Sequence, residues 1–132
     1  MLSENSNFDD SSNEQFLHLL KDTSVRNYQT LIEKILMAKA YLISIYSEIH
    51  DPEKLKAYAA DALPALQAHG ATPLARGSEI VSKEGNKPLR AVVMEFDSME
   101  AAKKAYESEE YKGALAKLEG GVDRQLFLIE GL

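Results

Sequence analysis

A chain of 132 residues, 45% hydrophobic and 27% charged, is long enough for one hydrophobic core and too short for two, and its composition argues against disorder throughout. A net charge of −6 argues against a general binder of phosphate backbones, which would be basic. Cysteine is absent, which removes disulfides, thiolate metal sites and cysteine nucleophiles together.

Residues 1–36 read as an N-terminal extension, partly disordered and then helical. Met1 to Glu14 is rich in Ser, Asn and Asp and predicts a mobile tail. It has no basic start followed by an apolar run, so no signal peptide is expected. No apolar stretch approaches the roughly 20 residues of a membrane span. A cytoplasmic protein is therefore expected, with no membrane and no nucleic acid among its partners. Phe16, Leu17, Leu19 and Leu20 suit a short helix. A stronger helical pattern starts at Thr23-Ser24, with Val25, Tyr28, Leu31, Ile32 and Ile35 on one side. That stripe needs cover. It suits packing on its own domain, or a partner-docking or dimer-clasping arm. A third reading makes Met37 the natural start.

From Ala40 the period changes to two. Tyr41-Leu42-Ile43-Ser44-Ile45-Tyr46 predicts a strand. Asp51-Pro52-Glu53 opens a helix, with Asp51 as cap, and Leu55, Tyr58, Ala59, Ala62 and Leu66 form its apolar face. Pro64 should bend or interrupt that helix, and Gly70 should end it. The stretch from Arg76 to Phe96 predicts a hairpin: a strand over Thr72 to Val81, a tight turn with Gly85-Asn86 in left-handed conformations, and a strand over Leu89 to Phe96. Asp97 should cap a second helix, with Glu100 reaching back. Ser108 should restart that helix after a break, and Gly120-Gly121 should stop it. Arg124 to Glu130 reads as the last strand.

The order is β-α-β-β-α-β, an α+β plan of the ferredoxin-like kind with an antiparallel sheet. Two helices cover one face of such a sheet. The alternation leaves the other face apolar as well, since Tyr41, Ile43 and Ile45 oppose Leu42 and Tyr46, and Gln125, Phe127 and Ile129 oppose Leu126 and Leu128. A bare apolar face of this size is avoided by soluble monomers. The N-terminal helix or a second copy of the chain could cover it; a homodimer is expected, sheet against sheet, closing a dimeric α+β barrel.

Several stretches carry a family resemblance. They are Ala40-Tyr41, Asp51-Pro52 with Tyr58, Arg76-Gly77-Ser78-Glu79, Pro88-Leu89-Arg90-Ala91-Val92-Val93-Met94-Glu95-Phe96, Ala105-Tyr106-Glu107-Ser108-Glu109-Glu110-Tyr111, and Ile129-Glu130-Gly131. In that order, over residues 37–132, they resemble the bacterial family catalogued as domain of unknown function 1330, within the dimeric α+β barrel superfamily. The family usually shows Arg-Gly-Gly where this chain has Arg76-Gly77-Ser78. The resemblance implies the fold and the dimer but no activity. Its wider relatives include small monooxygenases, lactone isomerases and haem-degrading enzymes, and fold does not choose among them.

The candidate substrate-binding residues are Arg76, Glu79, Arg90, Glu95, Tyr106 and Tyr111. Arginines on neighbouring strands suit a substrate carboxylate, and tyrosine hydroxyls around a helix break, with Tyr41, suit the same cleft. The plainer alternative for Glu95 is an ion pair with Arg76 or Arg90 that fixes strand register. His69 is explained by the negative end of the first helix, and three scattered histidines predict no metal site. The sequence calls for no cofactor. The residues single out no catalytic group, and enzyme and binding protein stand as alternatives. The readings carried forward are a homodimer that binds a small anionic organic molecule, as a cofactor-free enzyme of the monooxygenase or isomerase kind or as a binding protein, and a non-catalytic interaction module with the N-terminal helix as its docking or clasping arm.

Overall fold

The computed structural model describes Tyr28, Ile32 and residues 38–132. The N-terminal tail, the helix built on Val25 to Ile35 and the role of Met37 lie outside the described residues.

Four strands alternate with helices in the expected order. Strand β1 (Ala40–Ile49) is followed by α1 (Pro52–Ala68), β2 (Thr72–Gly77), β3 (Arg90–Phe96), α2 (Met99–Glu107), α3 (Glu109–Leu118) and β4 (Val122–Glu130). The sheet is antiparallel, in the order β2-β3-β1-β4, which is the ferredoxin-like arrangement.

The helix starts follow from local chemistry. Asp51 accepts from the amides of Glu53 (3.0 Å) and Lys54 (3.2 Å), and Pro52 takes a first-turn position where its missing N–H costs nothing. Helix α1 runs on through Pro64 without interruption. Gly70, at φ 98°, supplies the left-handed residue after its end. Ser108 serves two helices: its hydroxyl donates to the Ala105 carbonyl (2.8 Å) and accepts from the Tyr111 amide (3.2 Å). Ser108→Ala should therefore lower stability by about 1 kcal/mol, read by denaturant unfolding.

Three local expectations are corrected. The cap of α2 is Ser98, whose hydroxyl accepts from the Ala101 amide (3.0 Å). The helix begins one residue later than expected, and Asp97 turns to Lys39 instead (3.0 Å). The tight hairpin between β2 and β3 does not form. β2 stops at Gly77, and Ser78 to Leu89 makes a long connection before pairing resumes. Val81 is 80% exposed there, so extending the ladder would bury nothing, and Pro88 has no N–H to give it. Gly85 takes its left-handed conformation (φ 78°), but no residue other than glycine has positive φ among those described, so Asn86 does not. The last strand starts two residues earlier than expected, at Val122.

Both helical segments lie on one face of the sheet. Ala40, Leu42, Ser44 and Tyr46 from β1 and Val92, Met94 and Phe96 from β3 are buried there. Tyr58, Ala62 and Leu66 of α1 and Tyr111, Ala114 and Leu118 of α3 complete this core. The small Ala102 and Ala105 are fully buried and let α2 sit close to the strands. The opposite face carries Tyr41, Ile43, Ile45, Val93, Phe127 and Ile129. In the lone chain Phe127 is 43% and Ile129 50% exposed. No helix among the described residues is long and apolar enough to cross a membrane.

Gly131, just past β4, donates to the Lys39 carbonyl at 2.6 Å. A Cβ there would lie 2.9 Å from Tyr41 Cε2 and 3.0 Å from the Lys39 oxygen. Gly131→Ala should destabilise by about 1–3 kcal/mol in thermal or denaturant unfolding, because the backbone at that edge must move.

Candidate functional site

Antiparallel register brings the arginines together. Tyr46 of β1 is paired with Arg90 of β3 on one side and Arg124 of β4 on the other, so the three form one row across the sheet. Arg76 of β2 is paired with Val92, which is paired with Ser44, and stands in the next row. All six lie on the helix-covered side and, with Tyr58 of α1, line one cleft between sheet and helix. Its remaining walls are apolar, including Leu42, Leu63, Val92, Met94 and Leu126.

Arg124 forms the centre of the polar part. It occupies the inward row of β4 that otherwise holds Val122, Leu126 and Leu128. Its guanidinium donates to the hydroxyls of Tyr46 (2.9 Å), Tyr58 (3.2 Å) and Tyr111 (3.3 Å). The Tyr58 and Tyr111 hydroxyls are 2.7 Å apart. The guanidinium carbon of Arg124 is 4.9 Å from the Tyr58 ring centre and 5.5 Å from that of Tyr46, while that of Arg90 is 5.7 Å from Tyr46. Burial pulls the Arg124 pKa down, but the oxygens of Tyr58, Tyr46 and Tyr111 outweigh it, so the guanidinium stays cationic. Burial, and next the Tyr58 hydroxyl, push the Tyr111 phenol well above its usual range against the pull of Arg124. Tyr111 is therefore a neutral hydrogen-bonding group.

The charge balance is the notable feature. The five ion pairs among the described residues all use lysine or histidine as the cation. Arg76, Arg90 and Arg124 have no carboxylate partner among the described residues, and no Asp, Glu, His or Lys lines the cleft. Two buried polar atoms also lack a partner there, Ser44 Oγ and Arg90 Nε. Arg90 and Arg124 are half-buried and Arg76 is exposed at the cleft, so its polar side carries positive charge that no lining side chain neutralises. The cleft has no ordinary general base at neutral pH. Its chemical capability is to hold an anion and stabilise negative charge on oxygen.

The six residues named from sequence separate in space. Arg76 and Arg90 line the cleft, and Tyr111 reaches it through Arg124 and Tyr58. Tyr106 stands behind, its ring centre 5.1 Å from that of Tyr111. Glu79 is exposed in the connection after β2. Glu95 is on the opposite face of the sheet, an odd number of residues from Arg90, and pairs with neither Arg76 nor Arg90. It accepts instead from the Tyr41 hydroxyl (3.2 Å), and that hydrogen bond raises the Tyr41 pKa above its usual value. Tyr41 is thus excluded from the cleft. His69 has a carboxylate neighbour after all, Glu110 at 3.3 Å, but neither residue lines the cleft. Arg124, Tyr46 and Ser44 were missed. The alternation of their strands places them with Leu126 and Leu42, and polar residues in an otherwise apolar inward row were the available signal.

A family model described as "Domain of unknown function (DUF1330)" matches residues 39–132. No curated protein matches the chain. Among solved structures, a protein of unknown function from Rhodopseudomonas palustris is similar at a TM-score of 0.62 and 14% identity, over 83% of this chain and 94% of that one. SnoaB, a cofactor-independent oxygenase from Streptomyces nogalater, is similar at 0.52 and 6% identity, over 70% and 91%. A dimeric ferredoxin-like protein of unknown function from Thermobifida fusca is similar at 0.50 and 19% identity, over 70% and 91%. At these identities the likeness shows the fold.

Proposed function

Since the chain belongs to the family described as Domain of unknown function (DUF1330), a description that names no activity, we propose a function from the site: the protein binds a small organic anion in the cleft of Arg76, Arg90 and Arg124, and does so as a homodimer. The observation that carries the binding reading is the convergence of three arginines with no carboxylate near them. Guanidinium forks match carboxylate and enolate oxygens better than lysine would. The apolar walls suit a hydrocarbon body attached to the charged group.

The same arrangement favours a reaction in which negative charge develops on a substrate oxygen, as in proton loss next to a carbonyl. The oxygenase from Streptomyces nogalater is an instance of cofactor-independent chemistry on this fold, but the case for this chain rests on its own arginines. The apolar open face supports the homodimer, and a structural neighbour is described as dimeric.

Calorimetric titration of the full chain against small carboxylates and quinones tests the binding reading. At least one carboxylate is expected to bind in the micromolar to millimolar range, and Arg90→Gln should weaken it about tenfold or more. Silence of the whole panel at millimolar concentration would overturn the proposal.

A further inference from the structure

Resting on that anion-binding reading, we propose that the ligand carries a second oxygen, a carbonyl or hydroxyl remote from its anionic group, and that Ser44 recognises it. Ser44 sits in the inward row Ala40, Leu42, Ser44, Tyr46, between Val92 and Leu126 on the neighbouring strands. It is the one buried polar residue of the described core, at 1% exposure. Its hydroxyl has no hydrogen-bond partner among the described residues, and neither has Arg90 Nε. A buried hydroxyl without a partner is unfavourable, and alanine already occupies the same row at Ala40. Packing therefore does not account for the serine.

The cleft supplies the second observation. Ser44 lines it together with Arg76, Arg90 and Arg124, and its cavity volume is about 30 Å³. That is room for a tip of one or two non-hydrogen atoms, not for a ring. The body of the ligand must then lie toward the mouth, with one small polar group reaching inward. Arg90 and Arg124 lie two residues along their strands from the partners of Ser44, about 6.6 Å of backbone. An anion held by Arg90 and Arg124 is then one row away from Ser44, so the second oxygen is set apart from the anionic group. An oxo- or hydroxy-monocarboxylate with a short apolar spacer has this form.

The test uses two pairs of probes that differ by one oxygen: benzoate with 4-hydroxybenzoate, and pentanoate with 4-oxopentanoate. Each is titrated into the wild type and into Ser44→Ala. In at least one pair the oxygenated member should bind wild type about tenfold more tightly, and the advantage should vanish in Ser44→Ala while affinity for the plain acid is kept. The unliganded variant should melt at the same temperature or higher, since an unsatisfied hydroxyl is removed. If the plain acids bind and added oxygen gives no advantage, or an advantage that survives Ser44→Ala, the role of Ser44 is overturned while the anion site stands. If none of the four probes binds, this inference is overturned, while the anion reading is decided by the wider carboxylate panel.

Discussion

Phe127→Glu is expected to change the particle seen by light scattering at micromolar concentration from two chains to one, with the circular dichroism of the protomer retained. The side chain is 43% exposed in the single chain, opposite Ile43 and next to Ile129 on the open face. A carboxylate there stays in water when the chain is alone, so the protomer has no reason to unfold. Between two sheets the same carboxylate would be buried without a partner, at a cost of several kcal/mol. That is enough to move a micromolar dimer to a monomer. Phe127→Leu, which keeps the apolar contact, should remain a dimer. A wild type that scatters as one chain would overturn the dimer, and a Phe127→Glu protein that stays paired would move the interface to another surface.

Arg124→Met should separate binding from stability. A methionine fills much of the volume of the arginine stem and brings no charge into the core. Tyr58 and Tyr111 already bond one another at 2.7 Å. Replacing a half-buried cation that lacks a counter-ion should thus leave the melting temperature within a few degrees of wild type, or raise it. Anion affinity should fall about ten- to a hundredfold, the worth of one charge-assisted hydrogen bond of about 1.5–3 kcal/mol. Arg124→Lys keeps the charge but not the fork that reaches three hydroxyls, so it should fall between the two. If Arg124→Met unfolds the protein, the arginine is a clamp for the tyrosines and not a ligand group.

Local signals carried the element order well. Asp51 and Ser108 cap as their side-chain chemistry requires, and Gly70 and Gly120 end helices in left-handed conformations. The errors were also local. The α2 cap fell one residue from its expected place because Asp97 and Ser98 are both competent caps, and only the position of Lys39 engages the aspartate. The expected hairpin failed because Gly85 permits a turn but does not require pairing on either side of it.

The site was half legible. Arg76 and Arg90 were named for lying on neighbouring strands, and both reach the cleft. Glu95 was placed on the right face, but an ion pair with Arg90 was weighed against a strand parity that forbids it. Arg124 passed as the first residue of a strand, although its parity with Leu126 and Leu128 already marked it as inward. Short-range periodicity therefore determined which segments are helix or strand, and that the sheet is apolar on both sides, because those properties depend on neighbours a few residues away. That residues 76, 90 and 124 share one cleft with Ser44, Tyr46 and Tyr58 was decided by strand order and cross-strand register. These are set by the packing of the whole core and by no single segment.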